Sequence, residues 1–215
     1  MRSAFLFSLL FTAGLVVAKP PPGFGTPDTE ITLGTKHGQM RFDQEALAVA
    51  PGAKVKITLK NTCEMLHNWV LVKGGTGERD RVSGKALQLG AQSMVKHFVP
   101  DDPAIVASSQ IAMPGKTVEV YFVAPKEEGD YPYVCTLPGH AFTMVGILAV
   151  SKNPKGALNR LNKARPQVRA QWPLLVTNKP LLQRAFVHNS PARSICVGLP
   201  GGVNYLFDAE TCAVQ

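Results

Sequence analysis

Residues 135–144 read Cys-Thr-Leu-Pro-Gly-His-Ala-Phe-Thr-Met, so a thiol, an imidazole and a thioether lie close together around a Pro-Gly turn. A second imidazole, on His67, opens an apolar run through residue 72 that is typical of a buried strand. An electron-transfer copper site typically has two imidazoles, one thiolate and an axial Met that binds through a long, weak bond. The pattern therefore predicts that His67, Cys135, His140 and Met144 bind one copper ion.

The segments around these residues indicate how they converge. Cys135 ends one predicted strand, the Pro-Gly turn swings His140 back toward the same point, and Met144 begins the next strand. Three ligands on one short loop and a fourth on a neighbouring strand leave a metal little freedom to change its geometry. A site that does not rearrange between Cu(I) and Cu(II) passes an electron with little reorganisation.

Each of these residues has a simpler interpretation when it stands alone. A single Met commonly fills a core, and a Cys in an exported protein is commonly part of a disulfide. A structural zinc site uses more Cys or His and no Met, and a catalytic Cys-His pair does not need Met144 after His140. The combination of all four residues favours copper.

The chain from about residue 29 to residue 150 resembles the cupredoxins, and within that family it looks most like azurin. The resemblance rests on His-Asn-Trp-Val-Leu at residues 67–71, Pro-Asp-Asp at residues 100–102, and Cys-Thr-Leu-Pro-Gly-His at residues 135–140 followed by Met144. It implies an all-β Greek-key sandwich with a short inserted flap helix and one type 1 copper ion. It also implies a mobile electron carrier, not an enzyme, with His67, Cys135 and His140 as equatorial ligands and Met144 as the axial one.

The resemblance implies roles for the neighbours of the ligands as well. Asn68 pairs with Thr136 and ties the two ligand segments together, and such outer hydrogen bonds tune ligand orientation and reduction potential. In azurins the carbonyl of the residue before the first His approaches the metal. Here that residue is Leu66 where the family has Gly, which leaves a contact from its carbonyl open.

An apolar ring around the exposed edge of His140 would form a docking patch for redox partners. Polarizable Met side chains suit a transient interface that must release quickly. The resemblance places five residues around that edge, namely Met40, Met65, Met113, Ala141 and Phe142. The alternative, that these side chains fill gaps in the core, stays open.

The N-terminus has the pattern of a cleaved signal peptide over residues 1–18. Arg2 precedes an apolar stretch over residues 4–17, and Val-Val-Ala at residues 16–18 forms a small-residue cleavage site. Cleavage near Ala18 would leave a flexible leader over residues 19–28 and a protein in the periplasm or outside the cell. The alternative is an uncleaved membrane anchor, although the apolar stretch is short for a spanning helix.

Export to an oxidising compartment requires an assignment for each of the four Cys. With Cys135 as a ligand, Cys196 and Cys212 flank the turn-rich residues 199–202 and are the predicted disulfide. Cys63 then remains a free thiol, which we interpret as a small buried hydrophobic residue.

The formal net charge of +8 is unevenly distributed. Residues 151–215 hold nine Lys or Arg against two acidic residues, whereas residues 20–150 hold twelve against thirteen. This basic C-terminal extension of unknown role could contact an anionic membrane surface or an acidic protein, or it could be a solvated tail. The predicted export argues against nucleic acid as a partner.

Periodicity predicts the remaining elements. Within residues 29–150, strands are expected over residues 30–33, 39–42, 53–59, 66–72, 105–107, 118–122 and 144–150, with another leading into Cys135 and the flap helix over residues 82–89. The extension should contain a short helix that begins at Asn153 and Pro154, followed by a small hairpin-like strand, turn and strand over residues 195–208.

Three functions fit a copper site of this kind. The first is an exported electron carrier whose partners are redox proteins such as c-type cytochromes or copper enzymes. The second, a copper oxidase or reductase, needs a further centre of clustered histidines, and the five His of this chain include no His-x-His pair. The third is a module that binds or delivers copper without carrying electrons. The sequence predicts the first function, with the third as the alternative.

Overall fold

The computed structural model describes residues 20–164 in full and, beyond them, only the backbone of three strands. Eight strands form two sheets: β1 (Thr29–Gly34), β2 (Ala46–Val49), β3 (Lys54–Lys60), β4 (Val70–Val72), β5 (Ile105–Ser108), β6 (Thr117–Val123), β7 (Gly129–Val134) and β8 (Val145–Val150). One sheet has the strand order β1-β3-β6, and the other has the order β2-β8-β7-β4-β5. The predicted all-β Greek-key sandwich is confirmed.

The core lies between the two sheets. In β3, buried Val55, Ile57 and Leu59 alternate with less buried polar residues, as expected for a strand with one face on the core. Trp69, which precedes β4 in the other sheet, places its ring centroid 5.7 Å from that of Phe122 in β6. This aromatic contact joins the two sheets in one apolar cluster.

Strand β4 is buried on both faces. Trp69 and Leu71 belong to the core between the sheets, whereas Val70 and Val72 belong to a second cluster with Val82 of the flap helix. A strand covered on both sides needs apolar residues at every position, which explains the unbroken apolar run in the sequence.

The flap helix, α1 (Gly75–Leu87), begins well before the predicted start at residue 82. Its buried side is formed by Val82, Ser83 and Ala86, and the Ser83 hydroxyl donates to the Arg79 carbonyl (2.9 Å). Gly84 does not interrupt the helix, since it faces open space and needs no side chain for packing. Tertiary packing thus outweighs the low helix propensity of a glycine-rich segment.

Two strand predictions were wrong in detail. Residues 39–42 do not form a strand: they follow a turn at residues 37–38, which an isolated bridge between Thr35 and Phe42 closes, and Phe42 is completely buried. Strand β2 was missed because Ala46, Leu47 and Val49 are all buried, which removes the alternation that marks an amphipathic strand. The strand expected over residues 66–72 is confined to β4, and His67 makes an isolated bridge to Ala112.

Beyond β8 the chain forms a helix over residues 154–164 that packs on the outside of the sandwich. Asn153 Oδ1 accepts a hydrogen bond from the Gly156 N–H (3.0 Å) and so caps the helix as predicted. Leu161 clusters with Ala46 and Ala149, which lie in β2 and β8.

A separate three-stranded sheet has the order β11-β10-β9, from β9 (Phe186–Asn189), β10 (Ser194–Leu199) and β11 (Val203–Asp208). The antiparallel pair β10 and β11 corresponds to the predicted hairpin-like segment, whereas β9 was not anticipated. The predicted signal peptide and the side chains of Cys196 and Cys212 lie outside the described residues. Within the described residues, no helix is both long and apolar enough to cross a membrane.

Candidate metal centre

Three of the four predicted ligands converge at one end of the sandwich. The ligand atoms of His67, Cys135 and His140 lie within 4.8 Å of one another, and all three residues are buried. Cys135 Sγ lies 3.4 Å from His140 Nδ1 and 4.0 Å from His67 Nδ1. The two Nδ1 atoms are therefore the nitrogens beside the sulfur.

The loop between β7 and β8 creates this convergence. Strand β7 ends immediately before Cys135, Gly139 has a φ of 81° at the turn, and His140 begins a single 3-10 turn. The Met144 N–H donates to the His140 carbonyl (2.8 Å), and the Cys135 N–H donates to the Met144 carbonyl (3.0 Å). These two hydrogen bonds hold the loop closed, with the Met144 side chain fully buried in the core.

Burial sets the protonation of the pocket. It lowers the pKa of His67 to about 4, with a further contribution from His140, and it lowers the pKa of His140 as well. Both imidazoles are therefore neutral at pH 7 and have a lone pair available for a metal. Burial raises the pKa of the Cys135 thiol to about 12, although hydrogen bonds from the backbone of Asn68 and Leu137 act in the opposite direction.

The donor set fits copper. A buried pocket that disfavours a free thiolate accepts one when a cation supplies the compensating charge. A thiol and two neutral imidazoles, next to a fully buried Met144, are the ligand types that copper accepts in both oxidation states. The Nε2 atom of His67 is buried without a hydrogen-bond partner, so the surroundings do not engage this ring from its other side.

Asn68 and Thr136 make the hydrogen bonds that the resemblance implied between the two ligand segments. Asn68 Nδ2 donates to Thr136 Oγ1 (2.8 Å), and the Thr136 N–H donates to Asn68 Oδ1 (2.9 Å). Both residues are buried, so these bonds are shielded from water.

Sequence reasoning missed two groups of positioning residues. Asn61 Nδ2 donates to the carbonyls of Met65 (2.7 Å) and Ala112 (2.8 Å), which fixes both segments that flank His67. The carbonyls of His97 and Phe98 accept hydrogen bonds from the side chains that link the ligand segments. Neither group carries a periodic signal, because a polar residue at the end of a strand and a backbone carbonyl both look like ordinary loop in a sequence.

The predicted docking residues differ in their exposure, and only Met65, Ala141 and Phe142 lie close to a ligand along the chain. Met65, Met113 and Phe142 are among the exposed large hydrophobic residues, whereas Met40 and Ala141 are half-buried. Met40 is also tied to the ligand loop, since its carbonyl accepts a hydrogen bond from Thr143 Oγ1 (2.9 Å).

Leu66 and Cys63 lie on the segment that leads to His67. Leu66 is half-buried against the core, and the contact of its carbonyl with a metal stays a prediction. Cys63 is buried and free, as expected, and its thiol points to the Lys36 carbonyl (3.1 Å). Cys63 is therefore not part of the ligand cluster.

Comparison with known proteins agrees with this geometry. Residues 29–151 match the family model of copper-binding proteins of the plastocyanin/azurin family. The chain is 38% identical over 129 residues to auracyanin-A of Chloroflexus aurantiacus, an alignment that covers 59% of this chain and 77% of that protein. It is 31% identical over 118 residues to azurin of Bordetella pertussis, which covers 51% of this chain and 76% of that protein.

Solved structures show the same likeness. The structure of auracyanin A, a "blue" copper protein from Chloroflexus aurantiacus, aligns with a TM-score of 0.53 at 39% identity and covers 57% of this chain and 98% of that one. The structure of auracyanin B aligns with a TM-score of 0.54 at 31% identity and covers 59% of this chain and 91% of that one. The family match ends at residue 151, so the basic extension lies outside it.

Proposed function

Because this chain belongs to the plastocyanin/azurin family of copper-binding proteins, its cofactor is copper, and we propose that it is an exported electron carrier and not a catalyst. One observation carries the proposal: the ligand atoms of His67, Cys135 and His140 lie within 4.8 Å of one another in a buried pocket. Met144, buried at the end of the same loop, is assigned as the fourth ligand. When bound, copper supplies one-electron chemistry by alternating between Cu(I) and Cu(II).

The protein contributes a pocket that is dry and closed. His67, Cys135 and Met144 have no exposed surface, so water does not reach the site from their side. The loop hydrogen bonds of Met144 and the pairing of Asn68 with Thr136 hold the ligand segments in place. A ligand set held in this way changes little between two oxidation states, and this favours electron transfer over substrate binding.

The route for the electron is proposed to pass through His140. It is the one ligand with any exposed surface, at 7%. The exposed Phe142, Met113 and Met65, with half-buried Met40 and Ala141, would form the apolar docking patch around it. Redox partner proteins such as c-type cytochromes or copper enzymes would dock there briefly and exchange one electron.

The first experiment tests the copper site. The full chain is loaded with Cu(II), its visible spectrum is recorded, and it is titrated with a one-electron reductant. We expect intense visible absorption that disappears with one electron per copper and returns on reoxidation. A colourless copper complex would overturn the thiolate assignment.

A second measurement separates the carrier from the copper-delivery alternative. The reduced, loaded protein is mixed with a Cu(I) chelator, and the release of copper is followed over time. A carrier retains its copper in both oxidation states, whereas a delivery module releases it on reduction. Rapid release would therefore favour the alternative.

The docking patch is tested with a matched pair of exposed apolar residues. Phe142→Ser should slow electron exchange with a c-type cytochrome severalfold and leave the visible spectrum unchanged. Val123→Ser is the control, because Val123 has similar exposure and lies at the end of β6 away from the ligands. Equal rates for the two variants would exclude the patch.

Export and the role of the tail rest on the sequence. Mass spectrometry of the secreted protein should give an N-terminus at Lys19, and a retained residue 1 would contradict cleavage. The basic extension is proposed to contact an anionic membrane surface or an acidic protein. Binding to anionic vesicles, compared between the full chain and a chain that ends at residue 164, tests the membrane contact.

A further inference from the structure

The backbone of residues 97 and 98 has an unusual conformation. His97 has φ 53° and Phe98 has φ 57°, and within the described part of the chain these are the non-glycine residues with positive φ. The left-handed region is unfavourable for such residues because Cβ approaches the backbone carbonyl. Two of them in succession persist only where surrounding contacts hold them, and strain of this kind clusters at functional sites.

The contacts that hold this turn lead to the metal centre. The His97 carbonyl accepts a hydrogen bond from Asn68 Nδ2 (2.8 Å), and the Phe98 carbonyl accepts one from Thr136 Oγ1 (2.6 Å). Asn68 and Thr136 each follow a proposed copper ligand directly in the sequence. The left-handed turn therefore aims two successive carbonyls at the side chains that link the ligand segments.

The turn is itself anchored. The Phe98 N–H donates to the Ser93 carbonyl (2.7 Å), and the Val99 N–H donates to the Lys96 carbonyl (2.9 Å). The Phe98 side chain packs against the core of the sandwich. Residues 93–99, here called the 93–99 loop, are thus fixed both to themselves and to the fold.

The two carbonyls determine how the Asn68 amide and the Thr136 hydroxyl are oriented. The Thr136 hydroxyl has one hydrogen, which it donates to Phe98, so it accepts from Asn68 Nδ2. Asn68 uses its other N–H on His97 and its oxygen on the Thr136 N–H. If the Asn68 side-chain amide were turned over, its Oδ1 atom would face the His97 carbonyl oxygen, and neither oxygen could donate a hydrogen. The loop carbonyls therefore select one orientation of the Asn68 side chain and one direction of the Thr136 hydroxyl.

We propose that the 93–99 loop is a third positioning segment of the copper site, in which His97 and Phe98 act through their carbonyls on Asn68 and Thr136. This inference rests on the proposed copper-carrier function and adds to it. The loop acts on the ligands only through the two linking side chains, so it tunes copper affinity and reduction potential without touching the metal. Partners of this kind typically change metal affinity by about 10–100-fold when they are lost.

The test uses two substitutions that both remove the imidazole and differ in backbone preference. His97→Val introduces a β-branched residue that opposes the left-handed conformation, whereas His97→Asn introduces one that tolerates it. In the full chain we expect His97→Val to lower copper affinity about 10–100-fold and to shift the reduction potential. We also expect His97→Val to give faster amide hydrogen exchange at Thr136 in the metal-free protein. His97→Asn should stay close to wild type in copper affinity, reduction potential and Thr136 exchange.

Equal behaviour of the two variants, whether both normal or both impaired, would overturn the proposal, because the backbone would then not be the cause. If His97→Val does not fold, Thr136→Val and Thr136→Ser replace the pair. The first removes the hydroxyl that reaches Phe98 and the second keeps it, so equal copper affinity would also overturn the proposal. If the wild-type chain binds no copper, the proposed function fails, while Thr136 exchange in the metal-free variants still decides the role of the loop.

Discussion

The two ends of the sandwich are stabilised by different kinds of interaction. At the copper end, Asn61, Asn68 and Thr136 fix the ligand segments through hydrogen bonds between neutral, buried groups. At the opposite end, Asp102 binds Arg81 (2.6 Å) and Lys85 (2.6 Å) on the flap helix. Pairing of β4 with β5 places the Asp102 region at the end of β4 that lies away from the ligands.

Because of this difference, the two ends should respond differently to pH, salt and substitution. Neutral amides and hydroxyls do not titrate, so the hydrogen bonds that hold the ligand segments should be insensitive to pH and salt over the range in which the protein is folded. Ion pairs near the surface respond to both. Substitutions at the copper end should therefore change the spectrum, the potential or the packing, and those at the opposite end should change stability in a way that depends on solution conditions.

The largest effect is expected for Cys135→Ser. A hydroxyl does not replace the thiolate, so the copper-loaded variant should lose the intense visible absorption completely. Cys63→Ser is the matched control, because Cys63 is also a buried, free cysteine but contacts the Lys36 carbonyl and not the ligand cluster. Visible spectra of both variants at equal copper loading check the prediction, and loss of colour in Cys63→Ser would place the thiolate elsewhere.

Replacement of glycine by alanine should have different effects at the two ends of the β7-β8 pair. A methyl group at Gly146 would meet the Tyr133 ring at 2.2 Å, whereas at Gly129 the nearest atom is 3.7 Å away. Gly146→Ala should lower the free energy of unfolding of the metal-free protein by about 1–3 kcal/mol through overpacking. Gly129→Ala should change it by less than about 0.5 kcal/mol.

Urea denaturation of both glycine variants measures this difference. Gly146 pairs with Tyr133 next to the ligand loop, and Gly129 pairs with Val150 at the other end. Equal unfolding midpoints would show that the copper end is not packed more tightly than the opposite end.

Asp102→Asn tests the ionic end through pH. Hydrogen bonds from Arg81, then Lys85, hold the pKa of the Asp102 carboxyl well below its usual 3.8. A carboxyl group whose pKa is lower in the folded protein than in the unfolded chain stabilises the fold when it is ionised. This contribution is complete at pH values above the pKa in the unfolded chain, and it is lost as the pH falls toward the pKa in the folded protein. Wild type should therefore be more stable than Asp102→Asn at pH 7, and the gap should narrow below pH 3.8. Urea midpoints at several pH values check this, and a constant gap would contradict it.

The copper ligands could be predicted from sequence because their chemistry is specific and three of them lie on one loop. The strands with a clear alternation, such as β3 and β6, were predicted for the same reason: one face meets the core and the other meets water. The flap helix was placed too late, since the glycines in its first turn have low helix propensity and its packing on the sandwich outweighs that preference.

The rest depends on long-range contacts that leave no local trace. β2 pairs in parallel with β8, far along the chain, and is buried without alternation. The positive φ of His97 and Phe98 arises from hydrogen bonds to Asn68 and Thr136 rather than from a glycine. Such features become visible only when the segments are brought together.

The smallest effect is expected for Arg160→Met, on the helix that follows the sandwich. Arg160 pairs with Asp130 (2.5 Å) at the start of β7, on a surface where both side chains are about half exposed. Water and salt screen such a pair, so its loss should lower the free energy of unfolding by less than about 1 kcal/mol, with a smaller effect in high salt. Met keeps the apolar stem and so isolates the charge. Because Leu161 and the neighbouring apolar residues hold the helix on β2 and β8, a loss well above this value would mean that the ion pair, and not this packing, attaches the helix.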